Sequence, residues 1–405
     1  MPETQTAAAI ETDILISGGG VAGLTAAAAF GAAGFTTICV DPTPPATSEA
    51  AEGADMRTTA FLHPSRAVLE SSGIWARIAP HAAPLQIMRI IDAGGAEPEA
   101  RLTRDFDAAD LSDEPFGWNF PNWLLRREIV ARIADLPLVD FRPGVATTGL
   151  VTRQSGAEVR LSDGTRVKAR LVVAADGRNS FIREAAGIRV KTTRYGQKAL
   201  AFAVTHPKPH NDVSTEIHRS GGPFTLIPLP DRDGLHSSAI VWMERGPEAD
   251  RLAALPVAEF EAAMNARSTG LLGPLTLVTR RSVWPMMTQI AERFTAERVA
   301  LIAEAAHVIP PIGAQGLNMS LADLTCLLRL CETDPAHIGE AAMLAAYNRR
   351  RWPEVKAREI GIDFLNRASM VEMRPLRDLR AGVLGALYSL KPVRKTLMRA
   401  GLGVR

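Results

Sequence analysis

Residues 13–41, DILISGGGVAGLTAAAAFGAAGFTTICVD, decide the fold of this chain. Asp13–Ser17 is a short apolar run typical of a β-strand, and three consecutive glycines follow it. An alanine-rich stretch over Leu24–Ala33 then predicts a helix. Thr36–Val40 is a second apolar strand, which Asp41 closes. Strand, glycine turn, helix, strand and acid in this order predict a βαβ unit of the Rossmann type.

The glycines of this unit predict a turn that binds a dinucleotide. Gly18 permits the tight turn, Gly20 lets a pyrophosphate approach the backbone, and Gly23 lets the helix pack close to the strand. Val21–Ala22 begin the helix, and the free N–H groups and dipole at its start attract phosphate charge. Asp41 is placed to accept hydrogen bonds from both hydroxyls of a ribose.

The glycine pattern by itself does not distinguish NAD from FAD. No second GxGxxG occurs downstream in the sequence, so we expect no separate domain for a nicotinamide nucleotide. A single N-terminal fingerprint, followed by distant segments that complete the site, favours FAD. FAD is therefore the predicted cofactor.

Residues 156–177, GAEVRLSDGTRVKARLVVAADG, are the first of two such distant segments. Asp163–Gly164 predicts a hairpin turn, after which Arg166–Ala169 returns as the partner strand. The apolar run Leu171–Ala175 predicts a buried parallel strand. It ends at Asp176–Gly177, which alone would be an ordinary turn.

Residues 299–323, VALIAEAAHVIPPIGAQGLNMSLAD, are the second distant segment. They predict a strand over Val299–Ile302, a loop rich in proline and glycine, and a helix from about Gly316 to Cys331. Gly313 and Gly316 leave backbone room against a flat ring, and the helix start offers N–H groups to it. His307 is a candidate base, but a histidine at a strand end more often shapes the loop.

These segments resemble the three FAD motifs of the class A flavoprotein monooxygenases, the para-hydroxybenzoate hydroxylase-like enzymes, in order and spacing. The matching residues are Gly18–Gly23, Val173–Gly177 and Ala305–Asn318. The wording PPIGAQGLNMSLAD is closer still to the ubiquinone-biosynthesis hydroxylases of the UbiH/Coq6 branch. Trp118–Arg127 and Gly222–Leu229 are similar to the same branch.

The resemblance implies which residues contact FAD. In the family, an arginine in the place of Arg57 lies near the flavin, and Arg126 or its neighbour Arg127 lies against the pyrophosphate. The third motif departs from the family, because Ala303-Glu304 stands where Gly-Asp is usual, and the family aspartate binds the ribityl chain. The expected cofactor contacts are Gly18, Gly20, Val21, Ala22, Gly23, Asp41, Arg57, Arg126, Asp176, Glu304, Pro311, Gly313, Gly316, Leu317 and Asn318.

The activity that the resemblance implies is hydroxylation of an aromatic ring. NAD(P)H reduces FAD, O₂ adds to the reduced flavin, and the C4a-hydroperoxide transfers one oxygen atom to the ring of a polyprenylated phenol or quinone precursor. This chemistry belongs to the cofactor, so no catalytic residue is assigned, and no metal is expected. Two alternatives stay open: a hydroxylase of a small soluble phenol, and a non-catalytic FAD- or quinone-binding member of a biosynthetic complex.

The expected fold class is α/β, with a Rossmann-like FAD-binding domain interleaved with a β-sheet substrate domain, followed by C-terminal helices. The FAD-binding domain is assigned to residues 1–75, 100–180 and 295–345, the substrate domain to 76–99 and 181–294, and the C-terminal helical region to 346–405. The predicted substrate-domain strands are Lys198–Val204, Thr215–His218, Phe224–Pro228 and His236–Trp242.

The amino-acid composition is that of an ordinary globular protein and points to no special partner. The chain of 405 residues is 46% hydrophobic and 22% charged, with a net charge of +2, which gives no reason to expect nucleic acid as a partner. Its three cysteines lack metal or disulfide spacing. No signal peptide and no apolar run long enough for a membrane span is visible. We therefore expect a cytoplasmic protein, with peripheral contact at the inner membrane as a possibility.

The possible membrane contact is inferred from the basic, leucine-rich segment near residue 405. From Val371 onward, leucines recur at helical spacing among basic residues, and Asp378 is the one acid between Arg374 and Arg399. Such a helix either lies on anionic lipid or docks on this protein or a partner of the biosynthetic complex, and the sequence favours neither. The basic residues are Arg374, Arg377, Arg380, Lys391, Arg394, Lys395 and Arg399.

Gly20→Val is expected to abolish FAD binding, because a branched side chain fills the space where the pyrophosphate meets the backbone. The wild-type protein should be yellow and release FAD on denaturation, whereas the variant should be colourless with an unchanged circular dichroism spectrum. Release of FMN, or of NAD without flavin, from the wild type would contradict the assignment.

Overall fold

Two large β-sheets form the framework of the protein. A computed structural model describes residues 9–93, 102–219, 221–369 and Met398. Within this part of the chain, eight strands form the first sheet, nine form the second, and three form a small third sheet.

The first sheet contains the predicted βαβ unit. In space its main order is β18-β19-β11-β1-β2-β8, and the hairpin of β9 and β10 continues from β11. The neighbours from β19 to β8 pair in parallel, and helix α1 (Val21–Ala32) connects β1 to β2. The strands are β1 (Ile10–Ser17), β2 (Thr37–Asp41), β8 (Val139–Pro143), β9 (Thr147–Arg153), β10 (Gly156–Leu161), β11 (Arg166–Ala174), β18 (Thr295–Ala296) and β19 (Val299–Leu301).

Strand β11 differs from the expectation of two separate strands, Arg166–Ala169 and Leu171–Ala175. It is one strand whose first half pairs antiparallel with β10, while nearly its whole length pairs parallel with β1. The residue between the two predicted pieces is Arg170, which is neither glycine nor proline and so does not break the strand. Its guanidinium binds the carboxylate of Asp13 at 2.9 Å, across the parallel pair.

The second sheet contains the four predicted substrate-domain strands. Its order is β20-β17-β12-β15-β14-β13-β5-β6, and β16 pairs with β12. The strands are β5 (Ile87–Asp92), β6 (Leu102–Asp107), β12 (Val190–His206), β13 (Val213–His218), β14 (Pro223–Arg232), β15 (Leu235–Arg245), β16 (Thr276–Leu277), β17 (Ser282–Ala291) and β20 (His307–Val308). Strand β6 pairs with β5 and so belongs to the second sheet. The sequence had instead assigned residues 100–180, which include β6, to the FAD-binding domain.

The two faces of the second sheet have different neighbours. On the far face, apolar residues of β12 to β15 pack into one core under helices α6 (Gly246–Ala254) and α7 (Val257–Arg267). On the near face, Ala199, Met243 and Met286 pack against Ile312, which belongs to the third predicted motif. The near face is therefore the side that meets the predicted cofactor.

The third sheet and the remaining helices join the two large sheets. The small sheet has the order β3-β7-β4, and the side chain of Asn119 on β7 donates to the carbonyl of Pro228 on β14 at 3.0 Å. These strands are β3 (Thr58–Leu62), β4 (Ala83–Leu85) and β7 (Gly117–Pro121). The other helices are α2 (His63–Ser71), α3 (Trp75–Ile78), α4 (Asn122–Ala134), α5 (Phe181–Ala185), α8 (Ala303–Ala306), α9 (Gln315–Thr333) and α10 (Ala341–Ser369). Short 3₁₀ turns cover Ala79–His81, Ala108–Asp110 and Pro335–His337.

A buried charged network fixes the third motif between α9 and α10. The carboxylate of Asp323, which is fully buried, binds His307 Nε2 at 2.6 Å and Arg351 Nε at 2.8 Å. Burial works to raise the pKa of Asp323, but the charges and hydrogen bonds of His307 and Arg351 outweigh it and leave the pKa lowered. Through its contact with Asp323, the buried His307 fixes the start of the third-motif loop against α9.

The predicted C-terminal stripe from Val371 onward lies outside the described residues, except for Met398. Met398 is buried against Ala108 and Phe116. Within the described ranges, every helix is too short or too polar to cross a membrane.

Asp323→Asn is expected to destabilise the protein by about 3–5 kcal/mol, because it leaves the buried Arg351 cation without its carboxylate. Glu354→Gln is the control, since Glu354 binds the same arginine at 2.6 Å but is one-third exposed and contributes at most about 1 kcal/mol. Thermal unfolding should separate the two variants. Because the pKa of folded Asp323 is lowered, this contribution is complete above the ordinary carboxyl pKa and is lost as the pH falls. Equal melting temperatures for the two variants would contradict this role.

Candidate cofactor site

Four predicted cofactor residues follow four adjacent strands of the first sheet. Asp41 ends β2, Gly18 follows β1, Asp176 follows β11 and Glu304 follows β19. Because the strands are parallel, their carboxyl ends meet at one edge, and three inter-strand spacings span about 14 Å. The carboxyl edge of a parallel sheet is where nucleotides bind in such folds, and this length suits an elongated dinucleotide.

The glycines of the first motif differ in the space that surrounds them. A Cβ on Gly18 would lie 2.3 Å from the carbonyl oxygen of Ala175, and the φ of Gly18 is +110°. A Cβ on Gly23 would lie 1.9 Å from the carbonyl oxygen of Gly18. At Gly20 nothing lies within 4 Å of that position. Gly18 and Gly23 are therefore required by the fold, whereas the space beside Gly20 suits a ligand.

Asp41 lies directly beside the glycine turn. Its carboxylate accepts hydrogen bonds from the backbone N–H groups of Gly19 at 2.5 Å and Thr43 at 2.8 Å. These bonds hold the side chain at the start of α1, where Val21 and Ala22 present their N–H groups. This position agrees with a carboxylate that receives ribose hydroxyls, since each oxygen has a second acceptor position.

The two carboxylate oxygens of Asp176 differ in their hydrogen bonding. Oδ2 accepts from the N–H of Ile182 at 3.1 Å, whereas Oδ1 is buried and has no hydrogen-bond partner among the described residues. Burial raises the pKa of Asp176. A buried unpaired acceptor costs about 1–3 kcal/mol, which a hydroxyl of the cofactor would offset.

Arg126 and Arg127 are distinguished by their surroundings on α4. Arg127 is exposed, binds Glu128 at 2.7 Å and lies over the ring of Trp123. Arg126 is partly buried, and its Nε has no hydrogen-bond partner within the part of the chain that the structure describes. An unsatisfied guanidinium N–H suits an anionic group, so Arg126 fits the pyrophosphate role better.

The Ala303-Glu304 pair adopts the backbone conformation that the family glycine permits. Ala303 has φ +55°, in the left-handed region, although it carries a Cβ. Glu304 is exposed at the carboxyl edge of β19. Its assignment to the ribityl chain remains a prediction.

Arg57 lies between the two large sheets. Its guanidinium binds Asp55 through two hydrogen bonds of 2.7 and 2.9 Å and stacks on the ring of Trp284, 4.0 Å from its centre. Burial works to lower the pKa of Arg57, but Asp55 and the charge of Glu304 outweigh it and leave the pKa raised. Arg57 is therefore a fixed cation between the carboxyl edge and the near face, as expected of a residue beside a flavin.

The loop of the third motif combines open space with a structural anchor. Gly313 and Ala314 both have positive φ, and a Cβ on Gly316 would meet nothing within 4 Å. Leu317 packs against the main core, and Pro311 is exposed.

The side chain of Asn318 holds the start of α9 against β3 and α2. Its side chain accepts from the Leu62 N–H and the Ser65 hydroxyl, and donates to the carbonyls of Ala60 and Ala314, at 2.6 to 2.9 Å. These four bonds use both acceptor positions of the amide oxygen and both N–H groups of the side chain. A contact between Asn318 and the cofactor would therefore come from its backbone.

A family model described as an FAD binding domain matches residues 11–359 of the chain. The chain belongs to this FAD-binding family. Together with the relatives that follow, the match identifies a class A flavin monooxygenase, which uses NAD(P)H and O₂. The residues of the carboxyl edge fit the cofactor, because they supply open space at Gly20 and an Asp176 oxygen without a partner among the described residues, and α4 adds an Arg126 nitrogen in the same state.

Relatives and solved structures resemble the FAD-binding chain over nearly its full length. It is 32% identical to the ubiquinone hydroxylase UbiL of Rhodospirillum rubrum, over 96% of this chain and 89% of that protein. It is 25% identical to the 3-demethoxyubiquinol 3-hydroxylase of Escherichia coli, over 97% and 99% of the two chains. The structure of p-nitrophenol 4-monooxygenase PnpA from Pseudomonas putida matches with a TM-score of 0.79 at 18% identity, over 98% and 99% of the chains.

Sequence reasoning missed several residues that position this site. Asp55 holds Arg57, and Asp323 holds His307. Arg183, which is buried, donates to the carbonyls of Arg178 and Ala305 and so ties the second motif to the third. Of these residues, Arg183 alone could have been suggested by the sequence, because it lies on the short helix that follows the Asp176–Gly177 turn.

Ala303→Gly is expected to stabilise the protein by about 0.5–1 kcal/mol. Glycine relieves a left-handed strain of about 1–2 kcal/mol and costs about 0.5–1 kcal/mol in chain entropy. Ala305→Gly, in the same short helix but without positive φ, should destabilise instead. Urea unfolding of the FAD-loaded proteins measures both, and a less stable Ala303→Gly protein would refute the strain argument.

Proposed function

We propose that this monooxygenase hydroxylates the aromatic ring of a polyprenylated phenol in ubiquinone biosynthesis. The observation that carries the proposal is the 32% identity to a ubiquinone hydroxylase over 96% of the chain. Relatives named as ubiquinone-biosynthesis enzymes also include the mitochondrial monooxygenase COQ6 of Rattus norvegicus, 26% identical over 95% of this chain.

The near face of the second sheet supports an apolar, flat substrate. Ala199, Ala201, Ala203 and Ala239 share this face by strand register, so its centre carries short apolar side chains. Val241 is a larger apolar neighbour that is only partly buried. Such a surface accepts an aromatic ring and an isoprenoid chain and excludes water from them.

The protein and the cofactor have separate tasks in this reaction. FAD, when bound, supplies the redox chemistry: NAD(P)H reduces it, and O₂ provides the oxygen atom that the ring receives. The carboxyl edge holds the nucleotide, while Ile312 and Met286 join the cofactor loop to the substrate face. Arg57 adds a fixed positive charge where the two meet.

The test is oxygen transfer by the purified protein. With NAD(P)H and heavy-isotope O₂, 2-geranylphenol should be converted to a product that contains one heavy oxygen atom, and Gly20→Val should be inactive. Preference for 4-hydroxybenzoate would favour the small-phenol alternative. Flavin that is not reduced by NAD(P)H in the presence of either phenol would favour the non-catalytic alternative.

We also propose that the enzyme meets its substrate at the membrane through the segment from Arg374 to Arg399. A prenylated phenol partitions into the bilayer, so the enzyme must reach the lipid surface or receive its substrate from a carrier. Each Lys or Arg near an anionic surface contributes about 1 kcal/mol, and burial of the leucine stripe adds to it.

Vesicle co-sedimentation tests this contact. The full chain should bind anionic vesicles at low salt, and a chain that ends at Met373 should not. Equal sedimentation of the two chains would exclude the segment from membrane binding. Absence of binding to both anionic and neutral vesicles by the full chain would favour docking on a partner protein.

A further inference from the structure

Strand β13 carries a pair of polar side chains on the near face. Glu216 and His218 lie two residues apart on β13, and His218 Nε2 is 2.7 Å from the Glu216 carboxylate. Between them, Ile217 points the other way and is fully buried in the far-face core. The pair therefore shares the near face with the residues that meet the cofactor loop.

Strand register connects this pair to the proposed substrate surface. Val241 on β15 pairs with Thr225 on β14, and Thr225 pairs with Glu216 on β13. Two inter-strand spacings, about 10 Å, separate Val241 from Glu216. Val241, Thr225 and Glu216 are all only partly buried. A substrate ring bound over Val241 and Thr225 would lie on the same face as the pair, one strand away from Glu216.

The pair contributes little to the fold. An ion pair between two residues of one strand joins no separate elements of the fold. His218 Nδ1 is buried and has no hydrogen-bond partner in the described ranges. A buried polar atom without a partner is unfavourable for folding and calls for a functional explanation.

The contact with Glu216 orients the imidazole. Burial works to raise the pKa of Glu216, but the hydrogen bond from His218, and its charge when the imidazole is protonated, outweigh burial and leave the pKa lowered. An ionised carboxylate accepts a hydrogen bond from Nε2–H and leaves Nδ1 with a free lone pair. This is the arrangement of a general base and its orienting carboxylate.

We propose that His218, oriented by Glu216, accepts the proton of the substrate's phenolic hydroxyl during ring hydroxylation. The phenol O–H bond breaks and an N–H bond forms at Nδ1, and the imidazolium is stabilised by the Glu216 carboxylate. The electron pair stays on the phenolate oxygen, which raises the electron density of the ring and prepares it for an electrophilic oxygen atom. This inference rests on the proposed function.

Other charged groups on the same face belong to the strands beside β13. Asp92 on β5 is the register partner of His218, and Arg104 on β6 lies beyond Ile90, the partner of Glu216. On the other side, β14 presents Thr225 and Pro223, which do not titrate.

The experiment compares His218→Gln with the matched control His236→Gln in the FAD-loaded full chain. His236 also binds a carboxylate, Asp231 at 3.0 Å, but it lies at the opposite end of the sheet. His218→Gln should lower kcat for 2-geranylphenol by about 10²–10⁴-fold at neutral pH, the usual contribution of a general base. The decline of kcat at acidic pH, where the imidazole takes up a proton, should disappear. FAD content and melting temperature should stay unchanged.

A spectroscopic measurement tests proton transfer without turnover. The probe 2-geranyl-4-nitrophenol, bound to the wild type at a pH where the free probe is neutral, should show the absorption band of its phenolate. His218→Gln should lose this band, Glu216→Gln should weaken it, and Glu216→Asp should retain it.

The outcomes separate this inference from the proposed function. A wild type that hydroxylates no prenylated phenol refutes the function itself. A wild type that hydroxylates 2-geranylphenol, with a His218→Gln protein of unchanged pH profile and unchanged phenolate band, overturns the role of His218 alone.

Discussion

The close approach of helix α1 to strand β1 is the constraint on which the cofactor site depends. The distance of 1.9 Å between the carbonyl oxygen of Gly18 and the position of a Cβ on Gly23 allows only hydrogen at that place. This contact sets the helix start against the end of the strand, and the N–H groups of the first turn then point along the carboxyl edge. The neighbouring strands β2, β11 and β19 bring their own ends to the same edge because they are parallel to β1.

The second sheet turns this nucleotide edge into a reaction site. Its far face is sealed by α6 and α7, so its near face is the side available to ligands. Ile312 joins that face to the third motif, and Arg57 stacks on Trp284 from the side of the first sheet. The proposed cofactor and substrate surfaces are thus joined by a few side chains that contact both.

The sequence predicted what local patterns encode. The βαβ unit, the strand before Asp176 and the helix after the proline–glycine loop all follow from runs of neighbouring residues. What it missed depends on pairing between distant segments. Arg57 and Trp284 are far apart in the chain, and the place of β6 in the second sheet depends on its pairing with β5. The pattern of Thr215–His218 predicted a strand, but only its neighbours β14 and β5 determine which face receives Glu216.

Asn318 changes how a mutational survey of this enzyme would be interpreted. All the hydrogen-bonding capacity of its side chain is used to join β3 and α2 to the start of α9. A substitution there would yield colourless protein, and a screen that scores colour would class it with the true ligand contacts. The loss would arise from misplacement of three elements, and neither extra flavin nor a longer incubation would restore the colour. Residues that shape a pocket and residues that touch its occupant thus share one phenotype, and only folding measurements tell them apart.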